Sequence, residues 1–104
     1  MTVKWVKVDP LVMNGEPFCY GTRLTVRNIL EMRANGLTPA QILADNAELR
    51  RVGIAEAFRF AAENRQRYAD FFKPDGTLRG EGFTADDARQ LPENLRELSG
   101  VVVS

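Results

Sequence analysis

The stretch that most constrains this fold is a sharply punctuated turn, Gly-Leu-Thr-Pro-Ala-Gln-Ile-Leu, which begins at Gly36. Glycine adopts the positive φ that often follows a helix C-terminus without a Cβ clash, so Gly36 is placed to end the preceding helix. Thr38 is placed to N-cap the next helix, with Pro39 at its first position, where a missing N–H costs nothing. Gln41 completes a capping-box pattern. The pattern predicts two helices joined by a tight turn, which is typical of a helix-turn-helix.

Apolar residues at helical spacing predict a trio of helices around this turn. Helix one runs from about Val26 to Asn35 behind a Thr25 N-cap, and helix two from about Pro39 to Asp45. Helix three runs from near Arg50 to about Tyr68 and has an inner and an outer stripe. The inner stripe contains Ile54, Ala57, Phe58 and Ala61, and the outer stripe contains Arg51, Ala55, Arg59, Ala62 and Gln66.

Two short runs before the trio have strand character. Residues Val3 to Val8 interleave apolar side chains with lysines, and Pro17 to Tyr20 is a second apolar run. The turn signals Asp9-Pro10 and Asn14-Gly15 lie between them. These patterns predict a short antiparallel ribbon. Because a two-stranded ribbon is marginal by itself, we expect it to pack on the helices or on a second subunit.

The chain after Phe72 is predicted to be a small acidic extension. Lys73-Pro74-Asp75-Gly76 is a stop signal, and Thr84 is placed to cap a short helix that runs toward Gln90. Another helical turn is predicted at residues 92–98, and residues 101–103 have strand character. Residues 1–67 hold 10 Lys+Arg against 7 Asp+Glu, whereas residues 68–104 hold 4 against 7. A basic front and an acidic back indicate different partners, or a back that folds over the front.

These elements give a predicted fold class and domain organisation. The chain is predicted to be mainly α, with a homeodomain-like helix-turn-helix trio, a short N-terminal antiparallel β ribbon and a small C-terminal helical extension. Residues 1–72 are predicted to form the helix-turn-helix module with its ribbon, and residues 73–104 the extension.

The composition argues against an enzyme, a cofactor or a metal site. The chain has no histidine, and Cys19 has neither a histidine to activate it nor a second thiol to share a metal. We interpret Cys19 as a small apolar residue of the second strand. Asp86, Asp87 and Glu93 lack the spacing of a calcium loop, and a solvated acidic helix start is the preferred interpretation. A lone cysteine, with no signal-peptide or membrane-spanning apolar run, predicts a cytoplasmic protein.

Basic side chains on helix three favour DNA binding. In a homeodomain-like trio, helices two and three are the recognition pair, and the outward side chains of helix three enter the major groove. Arginine bonds guanine there in bidentate fashion, or clamps phosphate. The sequence does not decide which helix enters the groove. On this hypothesis the DNA-contacting residues are Arg50, Arg51, Ala55 and Arg59.

An alternative interpretation makes the arginines of helix three ordinary surface residues. Their partners would be the carboxylates of Glu48, Glu56 and Glu63. Glu63 also lies one turn before Arg67, in the favoured order for a helical ion pair. The two interpretations differ in one observable. Pairing of Arg51 and Arg59 to carboxylates, or their burial at a dimer contact, would contradict DNA binding through this helix.

The number of aromatic residues predicts a homodimer. Phe58 and Phe60 point to different sides of helix three, so one core does not easily take both, and a subunit contact would use the other. In the alternative interpretation the ribbon or the tail covers the second ring.

Several short motifs occur together along the first part of the chain. They are Asp9-Pro10, Gly15-Glu16-Pro17, Gly21-Thr22-Arg23-Leu24-Thr25-Val26, Ile29-Leu30, Gly36-Leu37-Thr38-Pro39-Ala40-Gln41-Ile42 and, in helix three, Leu49, Ile54, Ala57 and Phe58 through Ala62. As a set these motifs resemble the small prokaryotic family called domain of unknown function 433. The resemblance covers roughly residues 8–62, over half of the chain.

The resemblance implies a helical trio with a ribbon in front, often dimeric, and no catalytic residues. Members of the family are similar to VapB-type antitoxins, which are encoded beside a PIN-like ribonuclease toxin. Such an antitoxin binds its operator and masks the toxin. Gly21, Thr22 and Arg23 match the best-marked positions of the family. We interpret them as a turn, a hydroxyl that bonds nearby backbone, and an arginine that ties strand to helix.

Two departures from the family pattern bear on function. Before helix three the family tends to have Tyr-Pro and a Leu-Thr cap, whereas this chain has Ala47-Glu48-Leu49-Arg50. The acidic tail is an addition, either a toxin-binding arm or an extra helix packed on the module. The leading hypothesis is a dimeric, DNA-binding regulator of the antitoxin kind whose partner is a PIN-like toxin. The alternative is a protein-interaction or dimerisation module without DNA binding.

Overall fold

The computed structural model describes residues 5–9, 11, 15–19 and 21–94 of the chain. Within them a two-stranded antiparallel ribbon precedes a trio of helices, and a short helix follows. This arrangement confirms the predicted fold class. The elements are β1 (Val6–Lys7), β2 (Phe18–Cys19), α1 (Val26–Ala34), α2 (Pro39–Asp45), α3 (Arg51–Glu63), a 3₁₀ turn (Ala69–Phe71) and α4 (Ala85–Arg89).

Helix α1 begins and ends where its local signals predict. The Thr25 hydroxyl accepts a hydrogen bond from the Asn28 backbone N–H, and the Asn28 side chain accepts one from the Thr25 N–H, both at 3.0 Å. At the other end Gly36 has φ +96°. Its N–H donates to the Arg33 carbonyl at 3.0 Å, and the next N–H donates to the Met32 carbonyl at 3.1 Å. This bonding pattern is a Schellman motif, which satisfies the last carbonyls of the helix.

Helix α2 has the predicted bounds. The Thr38 hydroxyl accepts from the Gln41 N–H at 3.2 Å, and the Gln41 side chain accepts from the Thr38 N–H at 2.8 Å. This pair confirms the predicted capping box, with Pro39 at the first helical position. Thr84 and Asp87 form the same reciprocal pair at the start of α4, as the sequence also predicted.

Helix α3 ends at Glu63, so the predicted continuation to Tyr68 is wrong. The Asn64 side-chain amide donates to the Phe60 carbonyl at 2.8 Å, and residues 64–68 form turns. These turns bring Tyr68 back to the core, where its side chain is fully buried. Its ring meets Phe60 edge-on at 6.3 Å, and the Arg27 guanidinium lies 5.3 Å from its centroid. Burial of a large aromatic ring outweighs one more helical turn.

The core is shared by the trio, the ribbon and the extension. The predicted inner stripe of α3 is buried, as are Val26, Ile29 and Leu30 of α1. Phe83 of the extension meets Phe58 edge-on, with centroids 6.0 Å apart. The two rings that suggested a dimer therefore both find neighbours within this chain, since Phe60 packs against Tyr68. Three large side chains of the extension belong to the same cluster, namely Leu78, Phe83 and Leu91.

Some predictions fall outside the described residues. They concern residues 3–4, Pro10, Asn14 and Tyr20 of the ribbon region, residues 95–98 of the last helical turn and the strand at 101–103. The domain boundary at residue 72 stays a prediction. None of the helices in the described part of the chain is both long and apolar enough to cross a bilayer.

Candidate interaction surfaces

Helix α3 is enclosed on several sides. Seven of its thirteen residues are buried. The backbone N–H of Trp5 donates to the Glu56 carboxylate, and the Cys19 thiol lies 3.7 Å from the Gly53 carbonyl oxygen, so the ribbon packs on this helix. Helices α1 and α2 contact it elsewhere, and Phe83 covers Phe58. A helix enclosed in this way presents only a narrow strip to a partner.

Ala55 is fully buried, so the predicted outward placement of this residue is wrong. The predicted outer stripe assumes that only helices one and two pack on helix three, so that its remaining face is open to solvent. Here the ribbon also contacts α3, and the open face shrinks to the C-terminal half, where Arg59 and Ala62 are exposed. Ala55 therefore lies in the protein interior and is not a candidate DNA contact.

The arginines predicted to contact DNA differ in their surroundings. Arg59 is exposed, and its Nε donates to Glu63 at 3.1 Å across one helical turn. Arg51 is half-buried, and its Nε is shielded from solvent without a hydrogen-bond partner among the described residues. Arg50 is exposed, and its guanidinium lies 5.9 Å from the Trp5 ring centroid. One of the pairings named by the surface interpretation is thus present, and one of the arginines is partly withdrawn from solvent.

The predicted ion pair between Glu63 and Arg67 is wrong. Glu63 accepts from Arg59, whereas Arg67 lies beyond the end of α3 and its Nη2 bonds the Glu16 carboxylate at 3.2 Å. The reason is the early end of α3, because a helical pair one turn apart needs the helix to reach its second member, and α3 ends four residues before Arg67.

The Gly-Thr-Arg segment joins the ribbon to α1. The Thr22 hydroxyl donates to the Cys19 carbonyl at 2.9 Å and accepts from the Leu24 N–H at 3.0 Å, which confirms the predicted role of this hydroxyl. Gly21 lies in the turn that these bonds close. Arg23 is exposed, and among the described residues its side chain makes no ion pair or hydrogen bond. The predicted contact between the Arg23 side chain and a helix is therefore not seen among the described residues.

Cys19 is buried in β2, as predicted for a small apolar residue. Its thiol faces the backbone of α3. Burial, and to a smaller extent the charge of Glu56, raises the pKa of this thiol from 9.0 to about 12. A thiol with so high a pKa is not a nucleophile at neutral pH.

The buried thiol leads to a testable prediction. At pH 8 the folded protein should react with Ellman's reagent at least about a hundredfold more slowly than the unfolded protein, because only the thiolate reacts. The unfolded thiol ionises first, so this group leaves the free energy of unfolding unchanged below pH 9 and lowers it as the pH rises toward 12. The same reaction in guanidinium chloride is the control, and rapid labelling of the native protein would contradict the buried placement.

A basic groove that sequence reasoning missed lies beyond the end of α3. Its volume is about 430 Å³. The sequence patterns assign its first residues to helix three and its later ones to an apolar run, a stop signal and the tail. No local pattern therefore brings them together. We define the basic groove by its lining residues, which are Arg65, Gln66, Ala69, Phe72, Lys73, Pro74 and Arg79.

The ribbon carries the second candidate surface. Val8 and Leu11 are the large apolar side chains that the described residues expose, at 57% and 94%. Both follow β1 closely in sequence. This exposed apolar pair makes the region after β1 a candidate contact surface.

Comparison with known proteins finds one similarity. A family model described as a protein of unknown function, DUF433, matches residues 6–61. This span contains the ribbon, α1, α2 and nearly all of α3, and it leaves out the basic groove. No curated protein and no solved structure matches the chain.

Proposed function

The chain belongs to the DUF433 family of proteins of unknown function, and from this premise we propose that it is a homodimeric protein-interaction module. This is the alternative function predicted from the sequence. The observation that supports this proposal most is that other elements of the fold pack over most of α3. A helix that reads the major groove needs a continuous outward face, whereas α3 is contacted by the ribbon, two helices and the extension.

The outward face of α2 supports the same conclusion. If α2 entered the groove instead, its exposed residues would face DNA, and they include no basic side chain. Asp45 would bring a negative charge toward phosphate, and the Gln41 side chain is held in the N-terminal cap. Affinity for DNA comes largely from Lys and Arg against phosphates, and this face offers none.

Val8 and Leu11 supply the surface for the second subunit. Their side chains are apolar and exposed, and burying them against a second copy would remove that area from water. The ribbon that they follow has only two residues in each strand, so a second copy would add to the support that α3 already gives it.

A DNA-binding regulator of the antitoxin kind is the second candidate. Arg50 and Arg51 favour it, since they lie at the N-terminal end of α3, where recognition helices contact base edges. Neither has a carboxylate within ion-pair distance among the described residues. Such a regulator would bind its operator as a dimer through these two side chains and Arg59.

Light scattering coupled to size exclusion tests the subunit contact. We expect the protein to run as a dimer, and Leu11→Asp to shift it toward the monomer by at least about tenfold in dissociation constant, because a charge replaces a buried apolar side chain. Ala40→Asp is the matched control, since Ala40 is exposed on α2, away from the ribbon. A native protein that remains monomeric at all concentrations would overturn the dimer.

Fluorescence anisotropy with a duplex from upstream of the gene tests the choice between the two functions. The interaction module predicts no binding above that to an unrelated duplex. Tight binding with a steep negative salt slope, flattened by Arg50→Ala and Arg51→Ala, would instead establish the DNA-binding regulator.

A further inference from the structure

The basic groove concentrates positive charge that the rest of the fold does not use. Among the described residues, Arg65, Lys73 and Arg79 lie in no ion pair within 4.0 Å. Arg65 places its guanidinium 5.1 Å from the Phe72 ring centroid, and the Arg79 Nε donates to the Asp70 carbonyl at 3.3 Å. Both contacts leave guanidinium N–H groups available, because an arginine has five donors.

Among the described residues, no carboxylate lines the basic groove. The nearest acidic group on the Lys73 turn is Asp75, whose carboxylate accepts from the Thr77 hydroxyl at 2.6 Å and the Thr77 N–H at 2.9 Å. These bonds, and to a lesser degree the charge of Lys73, lower the pKa of Asp75. Asp75 therefore offsets part of the Lys73 charge, and the groove as a whole stays positive.

The floor of the basic groove is apolar and held in place by backbone bonds. We call the apolar residues of its lining, Ala69, Phe72 and Pro74, the floor. The Arg79 N–H donates to the Phe71 carbonyl at 2.8 Å, and the Lys73 N–H donates to the Thr77 carbonyl at 2.7 Å. A preformed groove of this kind loses little conformational entropy when a ligand enters.

We propose that the basic groove binds an acidic peptide segment of a partner protein, with an apolar side chain on the floor and carboxylates on the rim. Charge complementarity carries this assignment, since a cationic rim around an apolar floor matches alternating acidic and apolar residues. The assignment rests on the proposed interaction function and names the chemistry of the partner. It uses residues outside the span that matches the family model.

A peptide fits the groove better than a nucleic acid does. Single strands bind along a continuous basic track with several open aromatic faces. Among the described residues the basic groove has one aromatic ring, Phe72, whereas such a track needs several.

The test uses a fluorescein-labelled peptide of Glu-Glu-Leu repeats and the full chain, followed by anisotropy. We expect saturable binding that weakens with added salt and is lost when leucine is replaced by serine in the peptide. Lys73→Glu should weaken binding by about tenfold, the effect of losing one charge-assisted contact. Arg23→Glu is the matched control, since it removes an equally exposed cation with the same change in net charge and should leave binding within about twofold.

Each other outcome overturns the assignment. Absence of saturable binding would exclude an acidic peptide as the ligand. Equal weakening by Lys73→Glu and Arg23→Glu would mean that binding depends on the net charge of the protein and not on the groove. Tighter binding of an oligothymidylate that is lost in Lys73→Glu would make the basic groove a nucleic-acid site. Circular dichroism of each variant confirms that it is folded. The dimer measurement with Leu11→Asp is independent, so a failed groove and a failed interaction module give different results.

Discussion

Replacing Ala55 with arginine is expected to lower the free energy of unfolding by about 4 kcal/mol or more, because overpacking and an unpaired buried charge act together. Ala55 is fully buried in α3, the helix that also contacts the ribbon. The guanidinium would enter an interior in which the described residues bury no charged side chain. Urea denaturation followed by far-ultraviolet circular dichroism measures the loss.

The matched control is Ala62→Arg, since Ala62 is exposed on the same helix. It should change the free energy of unfolding by less than about 0.5 kcal/mol. If Ala55→Arg does not fold at all, Ala55→Leu is the alternative variant. It overpacks the same site without adding a charge and should lower the free energy of unfolding by about 1–3 kcal/mol. An Ala55→Arg protein as stable as the wild type would contradict the enclosed α3 and restore the outward stripe that a DNA reader needs.

Replacing Gly80 with alanine is expected to cost about 3 kcal/mol or more, since a left-handed backbone and a steric clash combine. Gly80 has φ +85°, and a Cβ built there lies 1.9 Å from the Arg33 carbonyl oxygen. The segment after Gly76 cannot then lie against the end of α1. The contacts of Phe83 with Phe58, and of the Arg33 guanidinium with the Phe58 ring at 4.5 Å, are lost with it.

Gly36→Ala is the control for backbone conformation alone. Gly36 has φ +96°, and a Cβ there meets nothing within 4 Å. The Gly36→Ala substitution should therefore lower the free energy of unfolding only through the left-handed backbone conformation, by about 1–2 kcal/mol. Urea denaturation of both variants gives the comparison. Equal losses in the two variants would mean that the extension does not approach the Arg33 carbonyl.

The sequence by itself determined the elements whose signals are local. Both ends of α1, the start of α2 and the start of α4 were each specified within four residues by a hydroxyl, a reciprocal side chain or a helix-ending glycine. A cap satisfies backbone groups of its own turn, so its energy does not depend on the rest of the fold. The burial of Cys19 and the inner stripe of α3 followed from equally short patterns.

Only the tertiary structure decided the end of α3, the burial of Ala55 and the basic groove. The end of α3 depends on Tyr68, whose ring gains more by returning to the core than by one more helical turn. The burial of Ala55 depends on the ribbon, which contacts α3 from a distant part of the chain. The groove joins Arg65 to Arg79 only because the chain reverses between them. Each of these features depends on which residues distant in sequence pack against each other. Helical periodicity carries no information about that packing.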